Sequence, residues 1–222
     1  MSVISKEEAE RLAKEFSKKL VDDLELVVFT QEVPCVYCRE TVEVANELAK
    51  TSDKIRISVH DFVKDHMRAS ELRIDKIPAI AIVGKRDYGI RFYGIPSGYE
   101  FASLVSTMID VSRGESGLSK RSKEALKGIE RAGHIEVLVT PTCPNCPSAV
   151  RLAHKAAIES DMIWSDMIEA TEFPQIAQKY ALMTVPKVVV NEKHEATGAM
   201  SEDLFIRHLV EALARKEPVQ PR

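Results

Sequence analysis

Two short cysteine motifs at a fixed offset constrain this chain more than any other feature. The four cysteines form two C-x-x-C pairs, Cys35 with Cys38 and Cys143 with Cys146. Each member of the second pair lies 108 residues after its counterpart. A third marker keeps that offset, since Pro78 follows Cys35 by 43 residues and Pro186 follows Cys143 by 43. Each proline comes after a β-branched residue, Ile77 or Val185, and before a short apolar run, 79–83 or 187–190, the second entered through Lys187. Two copies of 108 residues nearly exhaust a chain of 222, so the sequence reads as a tandem repeat.

The elements repeat as well. Ser5-x-x-Glu8 is a capping box ahead of a helix with Leu12, Phe16 and Leu20 on one face. Its counterpart is a helix at 122–132 with Ala125, Leu126 and Ile129 inward. A short buried strand follows, at 26–30 or 135–140, and runs directly into C-x-x-C. Each pair then opens a helix, with a stripe of Val42, Ala45, Leu48 and Ala49 in the first copy. The stripe in the second is Ala149, Leu152, Ala153, Ala156 and Ala157. Next come a strand (55–59 or 162–168), a polar helix (66–72 or 173–180) and the proline. Two strands around a turn near 84–87 or 191–193 follow, and an amphipathic helix closes each copy at 98–111 or 201–214. Each unit reads helix–βαβ–αββα. The segment 112–122 holds four serines and two of the nine glycines and marks the boundary. The expected division is a first unit over 1–115, a second over 116–216 and a mobile tail over 217–222.

A strand that runs into C-x-x-C and then a helix puts the first cysteine at the helix N-terminus. Unpaired N–H groups and the positive end of the helix dipole stabilise a thiolate there. Cys35 and Cys143 are therefore expected to be exposed and nucleophilic. Cys38 and Cys146, one turn on, can resolve a mixed disulfide. This is the geometry of thiol–disulfide exchange in either direction. A cis bond before Pro78 or Pro186, beside the cysteine helix, would turn the peptide of Ile77 or Val185 outward to pair with an extended client segment. Glu32 lies three residues before Cys35, while the approach to Cys143 carries no acid. Cys143 is therefore expected to be the more acidic and more reactive thiol.

Composition closes several other routes. A net charge of −3 with no block of like charges argues against a general nucleic-acid binder. The longest apolar run, 77–83, is too short to cross a bilayer, and the first twenty residues carry no apolar h-region. A cytoplasmic protein with no nucleic-acid or membrane partner is expected. Glutamine and asparagine total seven, which fits a thermophilic source. No G-x-S-x-G, G-x-G-x-x-G or Walker pattern appears. One zinc held by four thiolates is the main structural alternative. Zinc ribbons separate their knuckles by about 15–20 residues, whereas 104 residues lie between Cys38 and Cys143. The prolines taken alone would read as edge-strand or turn residues; their matched spacing from the cysteines reverses that reading. The six histidines show no metal-ligand spacing, and His154 is expected at the surface. Trp164 reads as a packing residue, and Tyr37 as a cap or a stacking surface for clients. Tyr93, Phe101, Leu104 and Met108 are expected to pack within the first unit.

A C-x-x-C with a proline 43 residues on resembles the thioredoxin and glutaredoxin superfamily. Two such units in one chain resemble the protein disulfide oxidoreductases of thermophiles, also called glutaredoxin-like proteins. The segments that carry the resemblance include Thr140-Pro141-Thr142-Cys143-Pro144-Asn145-Cys146-Pro147 and Ala149-Val150-Arg151-Leu152-Ala153-His154-Lys155. Thr184-Val185-Pro186-Lys187 and Tyr93-Gly94-Ile95-Pro96-Ser97-Gly98-Tyr99-Glu100-Phe101 belong with them. The first pair departs from the family dipeptides with Val36-Tyr37, and Asn145 stands where an aromatic is common. The strand 26–30 lacks the buried acid of thioredoxins, and Glu136 sits only at the start of the second strand.

The resemblance implies an α/β fold of two tandem thioredoxin-like units, each a central mixed β-sheet flanked by helices. It implies oxidation, reduction and isomerisation of protein disulfides, without organic cofactor or metal. The implied catalytic residues are Cys35, Cys38, Cys143 and Cys146, with Ile77, Pro78, Val185 and Pro186 binding the client. Partners would be proteins with thiols or disulfides and a thioredoxin-reductase-like flavoprotein. The alternative function is an electron carrier between such a flavoprotein and a peroxiredoxin; a zinc-binding scaffold is a more remote one.

Overall fold

The structure, a computed structural model, describes residues 3–32 and 35–214, so the tail expected at 217–222 lies outside the described residues. The first unit supplies α1 (Lys6–Lys19), β1 (Leu24–Thr30), α2 (Cys38–Ala49), β2 (Ile55–Asp61), α3 (His66–Glu71), β3 (Ala79–Val83), β4 (Asp87–Tyr93) and α4 (Tyr99–Arg113). The second supplies α5 (Lys120–Lys127), β5 (Gly133–Val139), α6 (Cys146–Glu159), β6 (Ile163–Glu169), α7 (Pro174–Lys179), β7 (Lys187–Val190), β8 (His194–Thr197) and α8 (Glu202–Ala214). The repeated order read from the sequence is present element by element. Helix α1 begins as its cap demands: the Ser5 hydroxyl accepts from Glu8 N–H at 3.2 Å, while the Glu8 carboxylate turns to Arg11.

The eight strands form one sheet in the order β2-β1-β3-β4-β6-β5-β7-β8. Each unit contributes four strands in the same arrangement: a parallel β1–β2 or β5–β6 pair, then two antiparallel strands. The units join where β4 pairs in parallel with β6, from Ile90 opposite Ser165 to Tyr93 opposite Ile168. β1 and β5 consequently run the same way. They lie four strand spacings apart, about 19 Å before the sheet's twist is added. One continuous apolar core fills the face covered by the long helices, from Leu12 and Phe16 of α1 through Leu104 and Met108 of α4 to Phe205 of α8. The other face carries only the short α3 and α7 among the described helices, over smaller clusters around Phe29, Tyr93, Phe173 and Tyr180.

Two sequence expectations fail at the join. His154 is buried, not at the surface. It is 1% exposed, its Nδ1 lies 3.2 Å from the Thr107 hydroxyl of α4, and its ring meets the edge of Phe92. Burial drives its pKa down to about 3, so the imidazole is neutral. Tyr93 does not pack within the first unit alone; its ring makes an edge contact with Phe173 of the second. Trp164 lies half-buried at the same join, stacked on His134 and beneath the Arg73 guanidinium. Phe101, Leu104 and Met108 do enter the core, but that core is shared by both units. Among the described residues no helix is long and apolar enough to cross a membrane.

Candidate active site

Strands β1 and β5 each lead to a cysteine pair at the start of a helix, β5 through a short turn at 140–145. α2 begins at Cys38 and α6 at Cys146, so the second cysteine of each pair is the first helical residue. Cys35 and Cys143 sit in the turn before, one turn earlier than the helix starts that the sequence predicts for them. Both pairs are disulfide-bonded, with Cα atoms 5.5 Å apart in each. The residues before the two helices, Tyr37 and Asn145, make no side-chain cap. The cap residues therefore leave the positive end of each helix dipole beside its cysteine pair. In the first site Cys38 is buried and Cys35 half-exposed, behind Val36 at 80% exposure. In the second, Cys146 is fully buried and Cys143 only 9% exposed. The two sulfur pairs lie where β1 leads to α2 and β5 to α6, and three other strands separate β1 from β5. That separation is unsuited to a single tetrahedral ion with Zn–S bonds of about 2.3 Å.

The predicted proline residues come to the same places. The Ile77–Pro78 and Val185–Pro186 peptide bonds are both cis. Continuing the strand register by one residue puts Pro78 opposite Thr30 and Pro186 opposite Val139, at the strand ends that lead into the cysteine turns. In the second site the carbonyl oxygen of Val185 lies 3.8 Å from Cys143 Sγ. Ile77 and Val185 are half-buried beside buried prolines, and Met183, at 92% exposure, flanks the second site.

The sequence offers no buried acid near either pair, and here the tertiary structure adds one. Glu136 is not that acid. It lies on the face of β5 opposite α6, where it accepts from the Tyr180 hydroxyl. Glu100, in the first turn of α4, is 1% exposed, and among the described residues the Ser103 hydroxyl, too poorly placed for a well-formed hydrogen bond, is the one side-chain donor that acts on its carboxyl. Burial raises its pKa to about 7. It belongs to the first unit, and its helix starts against the segment that leads to the second cysteine pair. Tyr99 N–H donates to the Pro141 carbonyl at 3.0 Å, two residues before Cys143, and α4 then runs parallel to α6. Counting back seven residues from the Thr107–His154 contact brings Glu100 level with Pro147, next to Cys146. The approach is close. Gly98 has φ +58°, and a Cβ there would lie 2.2 Å from the Pro141 carbonyl oxygen. The sequence signal for Glu100 is a lone acid between Gly98 and an apolar helix. Nothing in a linear reading connects it to a cysteine pair more than forty residues on.

A second raised carboxyl lies at the join. Glu172, in the turn between β6 and α7, accepts from Ile95 N–H at 2.6 Å. Burial and then the nearby Glu169 and Glu40 carboxylates raise its pKa to about 7, against the pull of that N–H.

Comparison with known proteins agrees with this geometry. Residues 133–211 match the model of the family described as thioredoxin domain. Over 94% of its length the chain superposes on 93% of a protein disulfide oxidoreductase from Aeropyrum pernix K1, with a TM-score of 0.88 and 31% sequence identity. It also superposes on the whole of the NTD_N/C domain of alkylhydroperoxide reductase AhpF from Enterococcus faecalis. There the TM-score is 0.84, over 95% of this chain, and the 22% identity speaks for the fold alone. The corresponding alkyl hydroperoxide reductase protein of Xanthomonas campestris pv. phaseoli is 27% identical over 180 residues, which are 81% of this chain and 32% of that protein. The chain spans about a third of the length of the curated relatives it matches.

Proposed function

From the premise that this chain belongs to the protein disulfide oxidoreductase family of two tandem thioredoxin-fold units, we propose that it oxidises, reduces and isomerises disulfides of client proteins at both C-x-x-C sites. The observation that carries this reading is the pairing, in each unit, of a disulfide at a helix mouth with a proline peptide at the neighbouring strand end. In the reducing direction the Cys35 or Cys143 thiolate attacks a client disulfide. A mixed disulfide forms, and the client's other sulfur leaves as a thiolate. The Cys38 or Cys146 thiolate then attacks the Cys35 or Cys143 sulfur, releasing the second client thiolate and closing the protein's own disulfide. Two electrons pass to the client. Oxidation runs the same steps in reverse. In the second site Glu100, poised near neutral pH, takes the proton of the resolving Cys146 thiol before that attack. Ile77 and Val185 offer backbone groups to an extended client segment.

The test is refolding of scrambled ribonuclease and reduction of insulin by wild type, Cys35→Ser, Cys143→Ser and the double variant. Each single variant keeps the activity of its intact site, and the double variant has none. A double variant that works like wild type overturns the reading. A second reading, a narrower carrier between a thioredoxin-reductase-like flavoprotein and a peroxiredoxin, is favoured by the relatives named as alkyl hydroperoxide reductases. A carrier would reduce a peroxiredoxin while leaving scrambled ribonuclease scrambled.

A further inference from the structure

The stretch 94–99, from the end of β4 into the first residue of α4, is tied at its two ends to the two disulfide sites. Gly94 N–H donates to the Pro78 carbonyl at 2.9 Å, and Tyr99 N–H donates to the Pro141 carbonyl. Near the first end the stretch is gripped by Glu172 of the second unit through its bond to Ile95 N–H. The fit is tight: a Cβ on Gly94 would lie 2.7 Å from Glu169 Cβ and 2.8 Å from Glu172 Oε1. The second unit repeats the first half of this arrangement. Gly198 N–H donates to the Pro186 carbonyl at 2.8 Å, and its φ of +90° matches the +87° of Gly94. Among the described residues, its chain neighbours aside, no heavy atom lies within 4 Å of where a Cβ on Gly198 would be.

We propose that Glu172 is a positioning residue for the first disulfide site: through Ile95 and Gly94 its ionised carboxylate steadies the Pro78 carbonyl, and with it the Ile77–Pro78 peptide against which a client lies. The inference rests on the client-binding role proposed above for Ile77 and Pro78. A bond from an N–H to a carboxylate is roughly twice as strong as one to a neutral oxygen, so the grip weakens when Glu172 takes up a proton. The groups that face it set where this happens. Glu169 comes from the end of β6, and its oxygens are already engaged by Thr171 N–H, the Thr171 hydroxyl and Glu172 N–H. Glu40 comes from the first turn of α2, two residues after Cys38, and keeps one buried oxygen without a partner. Both are acids and oppose the charge on Glu172, and burial acts in the same direction. The only favourable contact among these is the Ile95 N–H, so the carboxyl changes state within the neutral range in which the enzyme would turn over.

The experiment uses the full chain with Cys143→Ser and Cys146→Ser, so that the first site alone reduces insulin with dithiothreitol as the final reductant. With Glu172 present, KM rises about fivefold from pH 8 to pH 6, the size expected for one weakened hydrogen bond, while kcat follows only thiolate ionisation. E172Q keeps an acceptor for Ile95 but cannot ionise, and its KM is independent of pH. E172A has the high KM at every pH. In parallel, the Ile95 amide resonance titrates near pH 7 in wild type and not in E172Q, a readout that does not depend on turnover. An E172Q protein with the wild-type KM profile, or a wild-type Ile95 resonance that does not move with pH, overturns the proposal. Failure of the first site to reduce insulin at all, with Ile95 still titrating, overturns instead the client-reduction reading on which it rests.

Discussion

Gly94 and Gly198 do the same backbone work in the two units and have different surroundings. Each follows the last strand of its unit, has a positive φ and donates to the carbonyl of the proline beside the cysteine pair. Gly94 is wedged against Glu169 and Glu172 of the other unit, whereas Gly198 faces open space. The helices that follow differ in the same way. Six residues after Gly94 comes buried Glu100, level with the start of α6; six residues after Gly198 comes exposed Leu204. The difference arises because the units pair through β4 and β6, which leaves β8 at an open edge. A tandem repeat joined edge to edge has one inner seam and two outer edges, so two sites with the same local sequence logic acquire unequal environments. In this thioredoxin-fold thiol–disulfide oxidoreductase each unit sets a buried carboxyl against the other across the seam, Glu172 on Ile95 N–H in one direction and Glu100 beside the segment that leads to Cys143 in the other.

The largest effect that would break this comparison belongs to Glu100. Its folded pKa, about 7, lies above the ordinary carboxyl value, so it costs stability once it must ionise inside the fold. That loss is absent below about pH 4.5, grows as pH rises to about 7, and levels off above it. Glu100→Gln should therefore unfold like wild type at pH 4 and be more stable by up to about 3 kcal/mol at pH 8. Denaturant midpoints at the two pH values check this. The same variant should slow the second site by about a hundredfold in release of the mixed disulfide, the scale of a lost general base, and leave the first site unchanged. Equal slowing of both sites would remove the assignment of Glu100 to Cys146.

A smaller effect separates the two glycines. An alanine at either position meets a similar backbone penalty, because both φ values are positive and nearly equal. The Gly94→Ala protein also drives a methyl group into Glu169 and Glu172 and should lose about 2 kcal/mol more than Gly198→Ala. Thermal unfolding of the two variants gives the difference, and equal losses would show that the seam yields easily. The smallest expected effect lies in the thiols. α2 carries Glu40 in its first turn, and α6 has no acid there. Cys143 should then be the more acidic thiol, since a nearby like charge disfavours the thiolate. Alkylation rates across pH on reduced single-site proteins measure both values. A lower pKa at Cys35 would reverse the ranking.

Much of this molecule is legible in the linear chain, because the features that carry it are local or periodic. The apolar stripes of α2 and α6, the Ser5 cap and the runs after Pro78 and Pro186 declare their elements through side-chain spacing within a few residues. The two cysteine pairs announce their chemistry by the two-residue gap that lets sulfurs meet. What is not legible depends on which edges pair. His154 and Asn46 occupy the same place in the repeat, 108 residues apart, on equivalent helices. Asn46 is exposed, while His154 is covered by α4 of the other unit. No pattern within α6 distinguishes those outcomes. Tyr93 likewise finds Phe173 across the seam, eighty residues away in sequence.

The amino-acid order by itself determined two copies of one α/β unit, a redox-capable cysteine pair at the head of a helix in each, and a proline placed to accompany each pair. Short-range sterics and hydrophobic periodicity suffice for that. The tertiary structure alone decided that the copies share one sheet and one core, that Glu172 grips Ile95 across the seam while Glu100 is buried where α4 meets the second unit, and that burial raises both carboxyls to about 7. Burial and like-charge repulsion act through space, and only the folded chain brings those groups within range of one another.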